Sequence, residues 1–202
     1  MSFPRGLVLL VLATFAGILA PALHAQTPPS LGAEGVVAGE VRVSPSLGVV
    51  RGSGVPYIRA TAALHVSPWL SLGGEAAIPL GEVRTTAGSS PDRSELRLRF
   101  GGVRLAMSRP GLGEGDPWAV SLLLGTGTAR VFSSLLDTDL GSDNFLVVEP
   151  SLERRLTDLG PLQIGASAGY RIPLGADPLP GVRPAQLRGA SFTLSAALRK
   201  DP

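Results

Sequence analysis

Four groups of residues in this sequence have types and spacings that could do chemistry. His65 stands two residues before Ser67, which places an imidazole beside a hydroxyl. Nucleophilic catalysis needs such a base, and an acid to orient it. The other histidine, His24, falls in the N-terminal leader, and the chain has no cysteine. One histidine without thiolates excludes multi-histidine and cysteine metal sites. Gly125-Thr-Gly127 follows an apolar run as a dinucleotide loop would, but Arg130 holds the third glycine position and no helical period follows. Asp137, Asp139 and Asp143 lie close together without the glycine and closing glutamate of a calcium loop, and are read as a solvated acidic segment. The fourth group is the largest. Glu40, Arg42, Arg59, Glu75, Arg97, Arg99, Glu149, Glu153, Arg155 and Arg171 are spread over the chain but share one strand parity.

That parity comes from the elements that must carry these residues. In 162–174 (LQIGASAGYRIPL), Leu162, Ile164, Ala166, Ala168, Tyr170 and Ile172 alternate with Gln163, Gly165, Ser167, Gly169 and Arg171. Period two means a β-strand with unlike environments on its two faces. The stretch 70–81 repeats its opening Leu-x-(Leu/Ile)-Gly and its closing Ile-Pro-Leu-Gly. Eight strands are expected, at about 35–43, 55–66, 69–80, 95–107, 118–131, 145–156, 162–174 and 189–199. The fold class is all-β, a single antiparallel up-and-down barrel.

Composition bounds the compartment. In the first 25 residues, Arg5 precedes an apolar core at 7–19 and small-residue sites end at Ala22 and Ala25, the pattern of a signal peptide cut near Ala25. A Pro-rich linker (26–34) and a barrel domain (35–202) follow. Net charge is +2 with arginines scattered along the chain, which gives no nucleic-acid patch. Mean hydropathy is +0.27. Beyond the leader no apolar run approaches the roughly 18 residues of a spanning helix. An apolar chain without long apolar runs suits strands with one lipid-facing side.

Link lengths alternate. Ser67-Pro68 and 157–161 are tight, whereas 44–54, 81–94, 132–144 and 175–188 are long and rich in Gly, Pro, Ser and Asp. The segment 108–117 breaks the alternation. Trp69 and Trp118 are expected near one membrane interface, and Tyr57, Phe132, Phe145 and Phe192 near the other.

The leader, the alternation, the segment 118–132 (WAVSLLLGTGTARVF) and the closing 189–200 (GASFTLSAALRK) together resemble the small eight-stranded outer-membrane β-barrel proteins. In that family the last strand usually ends on an aromatic residue; here Leu198 is followed by Arg-Lys-Asp-Pro. The resemblance implies an outer-membrane location, lipid as surroundings, the barrel-assembly machinery as a partner in biogenesis and a monomeric state. Surface ligands would be taken through the long loops, above all 175–188 with its prolines and arginines. It implies no cofactor and no catalysis.

An eight-stranded barrel is just wide enough inside for side chains to fill it. The ten charges on the polar face are therefore expected in a packed interior ion-pair network, with Ser121, Gly165, Ser167, Ser191 and Thr193 leaving them room. Arg104 and Arg154 have the opposite parity. A bulge at Gly101-Gly102 would turn Arg104 inward, and Arg154 lies near a strand end where it can snorkel. Two other readings stand beside this one. A soluble periplasmic barrel carrying an apolar ligand would use the same alternation inside out. His65-Val-Ser67 is also similar to the His-x-Ser of the outer-membrane lipid A deacylases, with Glu75 as the acid by analogy, although Pro68 stands where an Asn is expected.

Overall fold

A computed structural model of the chain describes residues 39–67, 69–81, 83–85, 94–108, 117–160 and 162–199. The expected leader (1–25) and linker (26–34) lie outside them. The strands are β1 (Gly39–Val50), β2 (Ser53–Ser67), β3 (Leu70–Pro79), β4 (Val83–Thr85), β5 (Ser94–Ser108), β6 (Trp118–Ser133), β7 (Thr138–Leu159), β8 (Leu162–Leu174) and β9 (Gly189–Arg199). Every pairing is antiparallel. Sequence neighbours pair, except that β3 and β4 both pair with β5, and β1 pairs with β9. Eight long strands thus close a ring, which pairs both sides of each strand through its lower part.

Short β4 extends β3 along β5. Ala77 faces Phe100 and Val83 faces Leu96, so five residues on the β3–β4 side (78–82) span what three (97–99) span on β5. A bulge of this kind bends the wall without ending it. We call the end with the turns at 51–52 and 134–137 and the link 175–188 the upper end.

Two links expected to be long are in fact mostly strand. The segment 44–54 collapses to a two-residue turn, Arg51-Gly52, with both φ angles positive (54° and 76°). That is the hairpin geometry whose twist matches the flanking strands. The Pro and Gly that suggested a loop sit within the ladder: Pro45 faces Ile58, Pro56 faces Leu47, and the β1–β9 register runs from Val43 directly to Ser46. Proline is tolerated where the ladder asks for no N–H. Likewise 132–144 narrows to a turn at 134–137, because β6 and β7 run on past a register shift at Val131/Phe132.

Pairing of β7 with β8 stops at Leu146–Leu174, whereas β6–β7 pairing continues to Ser133–Thr138. The hairpin therefore rises eight residues, roughly 26 Å of strand, above β8. At 22 residues, β7 is about twice what a tilted bilayer crossing needs.

This height explains where the expected faces fail. In the lower wall, Val41, Val43, Leu64, Val103, Leu105 and Leu152 are exposed outward and charges point in. In the upper part the lumen is apolar, built from Val55, Leu96, Leu98, Phe100, Val131 and Val147. Tyr57 and Phe145, expected at an interfacial girdle, are 1% and 3% exposed and belong to this core. Phe192 does face outward.

Because Leu96, Leu98 and Phe100 point in, Arg97 and Arg99 must point out, and both are exposed. Their placement in the interior network is corrected accordingly. No bulge occurs at Gly101-Gly102: the register runs unbroken from Phe100–Gly127 to Val103–Leu124. Arg104 faces inward on the same parity as the apolar residues above it.

Gly125 allows a close approach in the wall, because a Cβ there would meet the Gly101 carbonyl and the Gly102 backbone across the ladder. Gly125→Ala is expected to destabilise the barrel by about 2–3 kcal/mol, a strain that backbone cannot relieve by a rotamer change. A urea titration in detergent should show a lower midpoint than wild type.

Candidate functional site

The charged side chains that the strands turn inward form one chain of alternating sign. Glu149 Oε1 accepts Arg59 Nη2 at 2.6 Å, and Arg59 Nη1 donates to Glu75 Oε1 at 2.7 Å. Arg104 bridges Glu75, at 3.5 Å, and Glu153. Arg42 joins Glu153 at 3.3 Å to Glu40, to which its Nε donates at 2.8 Å. Finally His65 Nε2 lies 3.6 Å from Glu40 Oε2. Hydroxyls add to these contacts: Ser191 Oγ donates to Glu149 Oε1 at 2.7 Å and Ser121 Oγ to Glu153 Oε1 at 2.5 Å.

Residues from β1, β2, β3, β5, β6, β7 and β9 meet in this chain, so it ties the wall together through its centre. A cavity of about 20 Å³ lies among Arg59, Glu75, Arg104, Glu149 and Glu153. Below it a mouth of about 240 Å³ is lined by Glu40, His65, Trp69, Trp118, Glu153 and Arg155.

Arg171 is inside but outside the ion-pair chain. It is 0% exposed, its guanidinium carbon lies 5.0 Å from the Phe100 ring centroid and 6.0 Å from that of Tyr57, and it donates to the carbonyls of Leu187 (3.1 Å) and Val49 (3.2 Å). Aromatic faces and carbonyl dipoles thus stand in for a carboxylate. Leu187 ends the 3₁₀ turn Pro184–Leu187 of the 175–188 link. With Val182 it is buried in the upper core, and Leu179 and Val182 exchange backbone hydrogen bonds across a turn. The link is a folded cap, with Arg183 and Arg188 on its exposed side. Arg155 stands at the lower rim, 4.0 Å from Asp158. Arg154 faces outward, 5.0 Å from the Trp118 ring centroid.

The catalytic and metal groupings do not assemble. Ser67 Oγ has no hydrogen-bond partner among the described residues, His65 turns to Glu40, and Glu75 is held by Arg59, Thr61 and Arg104. Glu75 also stands opposite Thr61, four residues (roughly 13 Å) up the strand from His65. Among the three aspartates, Asp139 is 3.6 Å from Arg130, Asp143 accepts the Asp177 amide at 2.7 Å, and Asp137 turns the hairpin with φ of 48°. Gly127 makes room for the Phe145 ring. Arg104 is the centre that parity assigned to the wrong face; the local signal was its alternation with exposed Val103, Leu105 and Met107.

If the chain is coupled, Glu149→Leu should cost about 3–5 kcal/mol by leaving Arg59 short of a partner. Adding Arg59→Met should regain most of that loss, since Glu75 keeps Arg104 and Thr61. Urea midpoints of the two single variants and the double variant provide the cycle.

No family profile and no curated protein matches this chain. Solved structures do. Neisserial surface protein A (NspA) aligns with a TM-score of 0.53 and 8% identity, over 81% of this chain and 97% of its own. Ail, the attachment invasion locus protein of Yersinia pestis, aligns with a TM-score of 0.48 and 15% identity over 83% and 100% of the two chains. Its complex with the heparin analogue sucrose octasulfate gives 0.48 and 13% over 81% and 97%. Likeness at such identity is one of backbone path. Eight antiparallel strands closed up-and-down in sequence order, on the same path as NspA, give this chain the fold of the small eight-stranded outer-membrane β-barrels.

Proposed function

We propose that this protein is a monomeric, non-catalytic outer-membrane barrel that holds a recognition surface above the bilayer and conducts nothing wide. In this reading the leader 1–25 is removed near Ala25, 26–34 links to the barrel domain 35–202, and the assembly machinery inserts the barrel into the outer membrane. The observation that carries it is the outward band of Val41, Val43, Leu64, Val103, Leu105 and Leu152 around a charged interior. Such a surface is stable against lipid and costly against water.

The filled lumen supports the closed state, with an ion-pair chain at mid-height and an apolar core above it. A soluble carrier of an apolar ligand would need the reverse, an apolar cavity behind a polar wall. The larger cavity here is open below and mixes Glu40, Arg42, His65 and Arg104 with Trp69, Leu70 and Trp118, so it is no apolar enclosure. His65 and Glu75, committed to other partners, support the absence of catalysis.

Recognition is assigned to the upper turns and to the 175–188 cap, where Arg183 and Arg188 are exposed over the anchoring Val182 and Leu187. The chemistry suits anionic sugars. Deleting the cap would uncover the core, so the test replaces only its charges. Cells displaying Arg183→Ser/Arg188→Ser should bind a sulfated polysaccharide several-fold less than wild type while the barrel stays folded; equal binding would refute the contact surface.

For the barrel itself, the protein should fractionate with outer membranes and change mobility on a gel when boiled, and planar bilayers should record no wide-pore conductance. Recovery in the periplasmic extract would sink the reading.

A further inference from the structure

Around the centre of the ion-pair chain, three buried side-chain atoms have no hydrogen-bond partner among the described residues: Ser44 Oγ, Arg59 Nε and Glu149 Oε2. Their residues are 1%, 8% and 2% exposed, so bulk water does not serve them. A buried polar group left bare is costly, and native interiors hold few of them. All three residues line the cavity of about 20 Å³ at mid-height. Ser44 stands directly opposite Arg59 across the β1–β2 ladder, and Arg59 Nη2 is 2.6 Å from Glu149 Oε1. The bare atoms thus belong to three neighbouring groups around one space.

The chemistry of that wall selects the occupant. Glu149 Oε2 only accepts, Arg59 Nε only donates, and the Ser44 hydroxyl does either. An anion would meet Glu75, Glu149 and Glu153, and a cation would meet Arg42, Arg59 and Arg104. Three charges of each sign leave nothing for an ion to balance. A small neutral molecule that both donates and accepts satisfies all three atoms. One water fits in about 10–15 Å³, so the cavity has room for it.

The same residues show how it enters. Arg42, Arg104 and Glu153 line both this cavity and the mouth of about 240 Å³ below it, so solvent arrives from the lower end. Upward the way is closed by rings. The Phe100 centroid is 5.4 Å from the Arg59 guanidinium carbon, and the Tyr57 ring packs edge-on against Phe100 at 5.8 Å.

We infer that Ser44, Arg59 and Glu149 bind one water molecule, supplied through the lower mouth, which donates to Glu149 Oε2, accepts from Arg59 Nε and shares a hydrogen bond with Ser44 Oγ. The water joins β1 to β2 and β7 across the lumen. Its place matters for the closing seam, because β1–β9 pairing is interrupted between Val43–Ala196 and Ser46–Thr193, the step that contains Ser44 and Pro45. A buried water with three partners is a fixed part of the fold, and here it supplies a tie where the ladder has none.

The test is a crystal structure of the mature chain, refolded in detergent and crystallised from sodium bromide. A solvent peak about 2.7–3.2 Å from all three atoms and without anomalous scattering is the expected result. No peak would show a dry void, and an anomalous peak would show a halide; either overturns the site. In solution, the nitrogen-labelled barrel should show cross-relaxation between water and the Arg59 Nε proton, and its absence would equally overturn the site. Ser44→Val supplies a further measurement. Filling a dry void with an apolar side chain would leave the temperature at which the folded gel band converts unchanged or raise it. Expelling a bound water strips Arg59 and Glu149 of a partner, so that temperature should fall by several degrees and the peak should vanish. An unchanged or higher conversion temperature would sink the inference.

Discussion

A charge taken out of bulk water inside a narrow tube must find an opposite charge or an equivalent set of dipoles, and here this requirement organises the lower lumen. Four glutamates and three arginines run from Glu149 to Glu40 in strict alternation of sign. Arg171 adds a fourth cation, held by two rings and two carbonyls. Such a chain need not be more stabilising than well-packed apolar residues of the same volume. Its consequence is specificity. Sliding a charge-bearing strand by a single residue would turn its charge outward and strand the partners left behind, so the registers of β1, β2, β3, β5 and β7 are pinned by one another across the lumen.

Above this zone the rule reverses while the strands stay the same. β5 carries Leu96, Leu98 and Phe100 inward and Arg97 and Arg99 outward, then Arg104 inward and Val103, Leu105 and Met107 outward, all in one unbroken alternation. On the outer-membrane reading proposed above, a strand longer than the bilayer passes through two solvents. Where lipid lies outside, the polar face turns in; where water and headgroups lie outside, the apolar face does. The upper part thus resembles a small soluble sandwich, with the 175–188 cap supplying Val182 and Leu187 as its second layer.

The cap also joins the two zones. Arg171 on β8 reaches the carbonyls of Val49, at the top of β1, and of Leu187 in the cap, while the Arg51 amide donates to the Gln186 carbonyl at 3.0 Å. A segment rich in Pro and Gly is in this way made rigid, and its exposed arginines are presented from a fixed base. That suits recognition better than a floppy loop, because less freedom is lost on binding.

The sequence by itself determined the strands, their number, the closed all-β class and most of the lower interior, because period two and the cost of charge in lipid are local and can be read residue by residue. Glu40, Arg42, Arg59, Glu75, Glu149 and Glu153 all lie where parity put them. Tertiary structure alone decided where along each strand the apolar side chains change from the outer to the inner face, and so which face of β5 is which: alternation reports that two sides differ, not which surroundings each meets. It also decided the tight turns at 51–52 and 134–137, since a proline or glycine reads as a loop until the neighbouring ladder shows that its missing N–H or missing side chain fits.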